Sequence, residues 1–165
     1  MPAVVSDTSV LHYLGAIGQT RLLHLQFGKI YVPPSVWREL HAKPGLPGIS
    51  SADAAQAAGW LVIQEPSTSE ILTRLSADLD PGEAEAIALA CELKPATVLL
   101  DEAEGRSAAI AAGLTVIGTA GILLAARSAG RVQAVGPLLD RLIQGFRFRL
   151  NRELYEQFIA GDDTR

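Results

Sequence analysis

The chain carries a single cysteine, three histidines and an aromatic fraction of only 5%. A lone thiol closes no intramolecular disulfide and gives zinc no second sulfur ligand, so Cys91 reads as a small buried hydrophobe on a helix in a reducing compartment. His12, His24 and His41 show neither metal-ligand spacing nor a nearby serine pattern, which argues against a zinc site or histidine-based chemistry and leaves them packing or surface roles. No apolar run approaches the ~20 residues a bilayer span requires. The opening Met-Pro-Ala-Val-Val-Ser-Asp has no basic leader and reads as a strand rather than a signal peptide, so the expected location is the cytoplasm. No glycine-rich phosphate-cradling motif follows a strand, and Gly118-Thr119-Ala120-Gly121 is too short to hold a pyrophosphate. Asp7-Thr8-Ser9 lacks the second aspartate, two residues on, that an aspartyl-phosphate enzyme generally uses.

What is present is apolar material: 48% hydrophobic residues over 165, with a mean hydropathy of +0.23. That suffices for one well-buried core and is too short for two ordinary domains, so residues 1–165 are expected to form a single domain. The net charge of −4 stands against simple phosphate binding. Its distribution is uneven, however, with arginines gathered late at 127, 131, 141, 147, 149 and 152.

The pattern alternates β with α. Ala3–Ser6 is β-prone, and Asp7-Thr8-Ser9 offers N-cap side chains to a helix bearing Val10, Leu11 and Leu14. A second helix from Thr20 ends at Gly28, and Lys29–Val32 follows as a strand that Pro33-Pro34 stops. A helix from Ser35 through Leu40 leads to a surface loop at Pro44–Gly48. An alanine-rich helix, Ser51–Ala58, precedes a strand at Trp60–Ile63 and a polar segment, Pro66–Ser69. Then come a helix from Pro81 to Leu93, a strand at Thr97–Leu100, a helix to Ala112 and a strand at Thr115–Ile117. Three more helical patterns, Ala120–Ala129, Pro137–Ile143 and Arg152–Ile159, lack intervening strands and are expected around the sheet's edge. Short buried strands joined by helices imply a three-layer α/β/α sandwich on a central parallel sheet.

In such a sheet, ligands bind beyond the carboxyl ends of the strands. Asp7 and Asp101 each follow a strand directly, while Glu39 and Glu83 lie just inside helices that begin at that edge. Each has a plainer reading. Asp7 fits a helix N-cap, Asp80 with Glu83 fits a capping box, Glu39 fits a solvated helix face, and any acid of Asp101-Glu102-Ala103-Glu104 fits a cap. If the four converge, their repulsion requires raised pKa values or a cation, and an oxygen-only donor set favours Mg²⁺ or Mn²⁺ over Zn²⁺.

Four segments, in this order, resemble the motifs of PIN domains: Val5–Ser9, Pro34–Leu40, Leu79–Ile87 and Leu99–Glu102. With Val116–Gly121, they are most similar to a subgroup long labelled only as a domain of unknown function, and the resemblance covers almost the whole chain. It implies a metal-dependent ribonuclease, often the toxin of a toxin–antitoxin pair, with Asp7, Glu39, Glu83 and Asp101 as catalytic metal ligands and Ser9 as a polar neighbour. Implied partners are RNA, an antitoxin protein and further copies of the chain, without a membrane. The alternative is a PIN-like fold that binds protein or RNA without turnover.

Two departures leave alternatives open. Many PIN domains end the fourth motif Thr-x-Asp, so Glu102 or Glu104 competes with Asp101. The third motif usually supplies aspartate, and here Glu83 and Glu85 compete, pointing about 200° apart on a helix. Glu83 is preferred because Ile87, one turn later, shares its inward side. Two other segments carry two readings each. Gly145–Leu150 alternates aromatic and basic residues and is either an RNA-stacking strip or, preferably, an edge segment burying Phe146 and Phe148. Ile122, Leu123 and Leu124 exceed what solubility needs and are expected in a dimer contact or under an antitoxin peptide.

Overall fold

Val4 and Val5, adjacent on the first strand, are both buried, and they belong to different hydrophobic cores. Successive side chains of a strand point to opposite faces, so β1 (Ala3–Ser6) must be covered on both sides. The computed structural model describes residues 2–67 and 69–164, with Asp163 and Thr164 by backbone alone. Met1, Arg165 and Thr68 of the polar segment lie outside the described residues.

Five short strands form one parallel sheet: β1, β2 (Ile30–Val32), β3 (Leu61–Ile63), β4 (Ala96–Leu99) and β5 (Thr115–Ile117), in the order β3-β2-β1-β4-β5. Parallel neighbours need crossovers, which here are helical. The helices are α1 (Thr8–Ala16), α2 (Arg21–Phe27), α3 (Pro34–His41), α4 (Ile49–Ala57), α5 (Glu70–Ser76), α6 (Pro81–Glu92), α7 (Ala103–Ala111), α8 (Thr119–Ser128), α9 (Gly136–Phe146) and α10 (Arg152–Ala160), followed by a 3₁₀ turn, Gly161–Thr164. One core joins Val4 and Leu99 to residues of α1, α2, α3, α4, α8 and α9, while the other joins Val5, Val98 and Leu100 to α6 and α7. Helices therefore cover both faces, as the α/β/α expectation requires. Burying each such valine contributes about 1.5–3 kcal/mol.

The strand order reverses at β1: β2 lies on one side of it and β4 on the other. Crevices outside the strand ends open at such switch points. The register pairs Ser6 with Leu99, and the Asp7 amide donates to the Leu99 carbonyl at 3.0 Å, so Asp7 and Asp101 leave neighbouring strands at nearly the same level.

Several expectations need correcting. Ile122 and Leu123 are fully buried, and Leu124 is packed against the same core, so this run is internal structure rather than a free docking face. Helices α8 and α9 likewise cover a sheet face, because their apolar stripes, including Leu139 and Leu142, enter that core. Helix α5 had no counterpart in the sequence reading; it buries no residue fully and starts at Ser69, whose Oγ accepts from the Leu72 amide at 3.2 Å. The loop ending at Gly48 lies pressed onto α1. A Cβ on Gly48 would stand 2.9 Å from the Leu11 carbonyl, and one on Gly15 would stand 2.5 Å from the Gly48 Cα. Only glycine permits that approach. No helix among the described residues is long and apolar enough to cross a membrane.

Candidate active site

Asp7 begins α1 as its N-cap residue, yet its side chain makes no capping hydrogen bond to that helix. Asp80, at the N-cap of α6, makes none either, so the capping box with Glu83 is not formed. Carboxylates in cap positions normally satisfy helix amides. Instead, Asp7, Glu39, Asp80, Glu83, Glu102 and Glu104 line one cleft of about 690 Å³ at the carboxyl ends of the strands.

Gly82 lets two of these acids meet. A Cβ there would lie 2.9 Å from Glu39 Oε2 and 3.4 Å from Asp7 Oδ1, so the two oxygens are no farther apart than the sum of those distances. Gly105, in α7, plays the same part for Glu83: its Cβ would stand 3.4 Å from Glu83 Cδ. Both glycines carry the acid-lined floor without filling it. Glu39 Oε2 also accepts from Thr8 Oγ1 at 2.9 Å.

Asp7 and Glu83 are buried. For Asp7, burial is the largest influence; the Thr8 amide opposes it, and the charges of Glu83, Glu39 and Asp101 reinforce it, leaving the carboxyl pushed up to about 7. Glu83 is also pushed up to about 7, by burial first and then by Asp80, Glu102, Glu39 and Glu104. Like charges in a low-dielectric recess favour the protonated form.

Asp101 is placed differently. Its Oδ1 accepts from the Thr119 amide at 2.8 Å and its Oδ2 from Thr119 Oγ1 at 2.7 Å, so it caps α8 from the neighbouring strand end. Burial raises its pKa, Thr119 and then Arg106 pull it back, and the net displacement is upward. It is half-buried and does not line the cleft, whereas Glu102 and Glu104 do. Gly118 makes room for this arrangement, since a Cβ there would meet Asp101 Oδ1 and Arg106 Nη1 at 2.9 Å each. Glu85 is accounted for elsewhere. Its Oε2 accepts from the Ser35 amide at 3.0 Å, in the first turn of α3, while Ile87 is fully buried on the Glu83 side of α6.

The donor set suits a hard cation: oxygen only, with Asp7 and Glu83 buried and Glu39, Glu102 and Glu104 exposed, and free of ion pairs among the described residues. Ser9 Oγ, on the same wall, is buried without a hydrogen-bond partner. As the side chains stand, no three histidine, cysteine or acidic residues among those described are close enough to hold one ion together.

The sequence reading gave no site role to His12, Tyr13 or Lys43, all of which line the cleft. His12 is held edge-on to Phe146, and Tyr13 edge-on to Phe148. Helical spacing gave no signal for His12 and Tyr13, which lie about one and a half turns from Asp7 and so out of phase with it along α1. Gly82, beside Glu83, did carry one, because a glycine inside a helix needs a reason of this kind.

No curated protein matches the chain. Its residues 3–162 match a family described as a PIN domain. PIN domains are in general nucleases that use divalent metal ions and bind RNA. The match spans all five strands and every residue that lines the cleft at their carboxyl ends, and the chain belongs to the PIN-domain family.

Proposed function

We propose that this chain is a metal-dependent endoribonuclease: one PIN-like domain over residues 1–165 that hydrolyses RNA phosphodiester bonds, with Asp7, Glu39, Glu83 and Asp101 as its acidic site and Mg²⁺ or Mn²⁺ as its ion. The observation that carries this reading is the gathering of unpaired carboxylates at the switch point of the sheet, two of them pushed up to about 7.

When bound, a hard divalent cation supplies Lewis acidity toward the phosphodiester and neutralises the carboxylates. Asp7, Glu39 and Glu83 would hold it directly. Asp101, bound through both oxygens to Thr119, keeps the β4 end in place beside Asp7 and adds negative charge. Near neutral pH, Asp7 and Glu83 are partly protonated, so a cation must displace protons to enter. Glycine at position 82 keeps the gap between Asp7 and Glu39 open.

The test is RNA cleavage in Mn²⁺, lost with EDTA and with Asp7→Asn, together with anomalous density beside Asp7 and Glu83 after a Mn²⁺ soak. No cleavage and an empty site at high Mn²⁺ would overturn the assignment. Two observations favour a second reading, a PIN-like domain that binds RNA or protein without turnover: both oxygens of Asp101 are engaged by Thr119, and no three acids among the described residues are poised around one point. RNA binding by a protein that never cleaves would select it.

The setting assigned to this activity is that of a cytoplasmic toxin of a type II toxin–antitoxin pair, restrained by an antitoxin protein and working as a homodimer or higher oligomer. Growth arrest on expression, relieved by Asp7→Asn, is the expected result.

A further inference from the structure

The alternating Phe146-Arg147-Phe148-Arg149 segment leaves α9 beside the cleft. Arg147 adopts a left-handed conformation, φ 57° and ψ 27°, at the end of α9, and the Phe148 amide then donates to the Leu142 carbonyl at 3.2 Å. Glycine normally takes that conformation, and a side chain there is strained. The reversal drives Phe148 into the core and leaves Arg147 and Arg149 exposed. Of the two rings expected to be buried, Phe148 is, and Phe146 is half-buried against the same core.

They also do something more. Phe148 meets Tyr13 edge-on, ring centres 5.0 Å apart at 82°, and Phe146 meets His12 at 6.2 Å and 81°. Tyr13 and His12 line the cleft that holds Asp7 and Glu83, so the segment sets the orientation of its aromatic wall. Burial first, then the charges of Asp101 and Glu102, raise the Tyr13 pKa, and Arg149 is near enough to oppose them. Lys43, from the loop that Gly48 presses onto α1, lines the same cleft and is exposed. Neither Lys43 nor Arg149 has a carboxylate partner at ion-pair distance among the described residues. Nδ1 of His12 is buried without a hydrogen-bond partner.

Tyr13 and Lys43 on the cleft wall, a second uncommitted cation, Arg149, next in sequence to the Phe148 that packs on Tyr13, and the unpaired Nδ1 of His12 make a pattern that single-stranded nucleic acid satisfies. Bases stack on the ring and cations take flanking phosphates. We propose that Tyr13, Lys43 and Arg149 form a subsite for an unpaired nucleotide next to the scissile phosphate, with Tyr13 as the stacking platform and Lys43 and Arg149 as phosphate contacts. This rests on the ribonuclease reading and deepens it by naming the residues of this chain that would take a nucleotide beside the cleft, since a paired base is not free to stack on Tyr13.

Fluorescence anisotropy with a short labelled single-stranded RNA, in Ca²⁺ to limit turnover, tests the subsite. Tyr13→Ala is expected to weaken binding roughly 5- to 150-fold, whereas Tyr13→Phe stays within about twofold. Arg149→Ala and Lys43→Ala, both at exposed positions, are each expected to weaken binding several-fold and to flatten the salt dependence by about 0.7 in log–log slope. Arg21→Ala, on exposed α2 surface, serves as the control and is expected to change nothing. Duplex RNA of the same sequence is expected to compete poorly. Wild-type binding left unchanged by Arg149→Ala and Lys43→Ala would overturn the subsite and leave the nuclease reading standing. A wild-type protein that binds no RNA would overturn both.

Discussion

Asp7 and Asp162 are two carboxylates that burial affects in the same direction and their surroundings affect in opposite ones. Burial pushes both upward in pKa. At Asp7, the neighbours that follow are mostly further acids, and the carboxyl reaches about 7. At Asp162, in the C-terminal 3₁₀ turn, the Val135 amide at 2.8 Å, the Gly136 amide at 2.7 Å and the Arg127 guanidinium at 2.6 Å outweigh burial and hold the group below its usual value. Val135 brings no capping side chain of its own to the start of α9, so Asp162 supplies the cap from 26 residues away. One carboxylate is satisfied by the protein and ties the 3₁₀ turn to the start of α9. The other is left among acids with too few donors to offset its burial, an arrangement that costs stability and is more common at functional sites than elsewhere.

The largest test of this contrast is substitution of the two residues in parallel. Asp7→Asn is expected to reduce Mn²⁺-dependent RNA cleavage by about 10³-fold or more, the loss of several kcal/mol of transition-state stabilisation. The same change should raise metal-free stability at pH 8 by on the order of 2 kcal/mol, read by chemical denaturation, since it removes a charge the fold disfavours. Asp162→Asn should do the reverse, lowering stability by about 2 kcal/mol while sparing cleavage per folded molecule. Loss of stability in both variants would dissolve the comparison.

Next in size is the pH dependence. The folded values of Asp7 and Glu83, about 7, lie above the ordinary values of 3.8 and 4.5, so between about pH 4 and 7 the folded protein keeps protons that the unfolded chain releases. Stability without metal should therefore fall as pH rises through that window and level off above it. Asp162, with its folded value depressed, stabilises fully above pH 3.8 and loses that contribution as pH falls further. Melting temperatures measured from pH 3 to 8 should show both slopes, and saturating Mn²⁺ should abolish the fall toward neutrality.

The smallest expected effect sharpens the site itself. Gly82→Ala places a methyl 2.9 Å from Glu39 Oε2, the end of a flexible side chain that can swing aside, so the fold should survive. Isothermal titration should show Mn²⁺ affinity reduced about tenfold, the scale expected when a ligand's supporting shell is disturbed.

Much of this was legible locally. Alternating apolar runs with proline and glycine punctuation marked all five strands, and Asp7 and Asp101 stood out because each follows one. Glu83 could be preferred to Glu85 from the position of Ile87, a matter of helical phase alone. Helix α5 escaped notice because its seven residues bury none fully, leaving little apolar periodicity to read. The run Ile122–Leu124 was misread for the opposite reason: hydrophobic content shows that a surface must be covered, never by what.

Composition and periodicity by themselves determined the parallel α/β architecture and the acids presented at its edge, since strand and helix patterns are set by near neighbours. Only the tertiary structure decided what each acid does. Glu85 is engaged by Ser35 and Asp101 by Thr119, while Asp162 reaches Val135 and Gly136. Asp7 and Glu83 find too few donors to offset their burial. Burial and hydrogen bonding depend on residues far apart in the chain, and these separate a capping carboxylate from one left buried beside other acids.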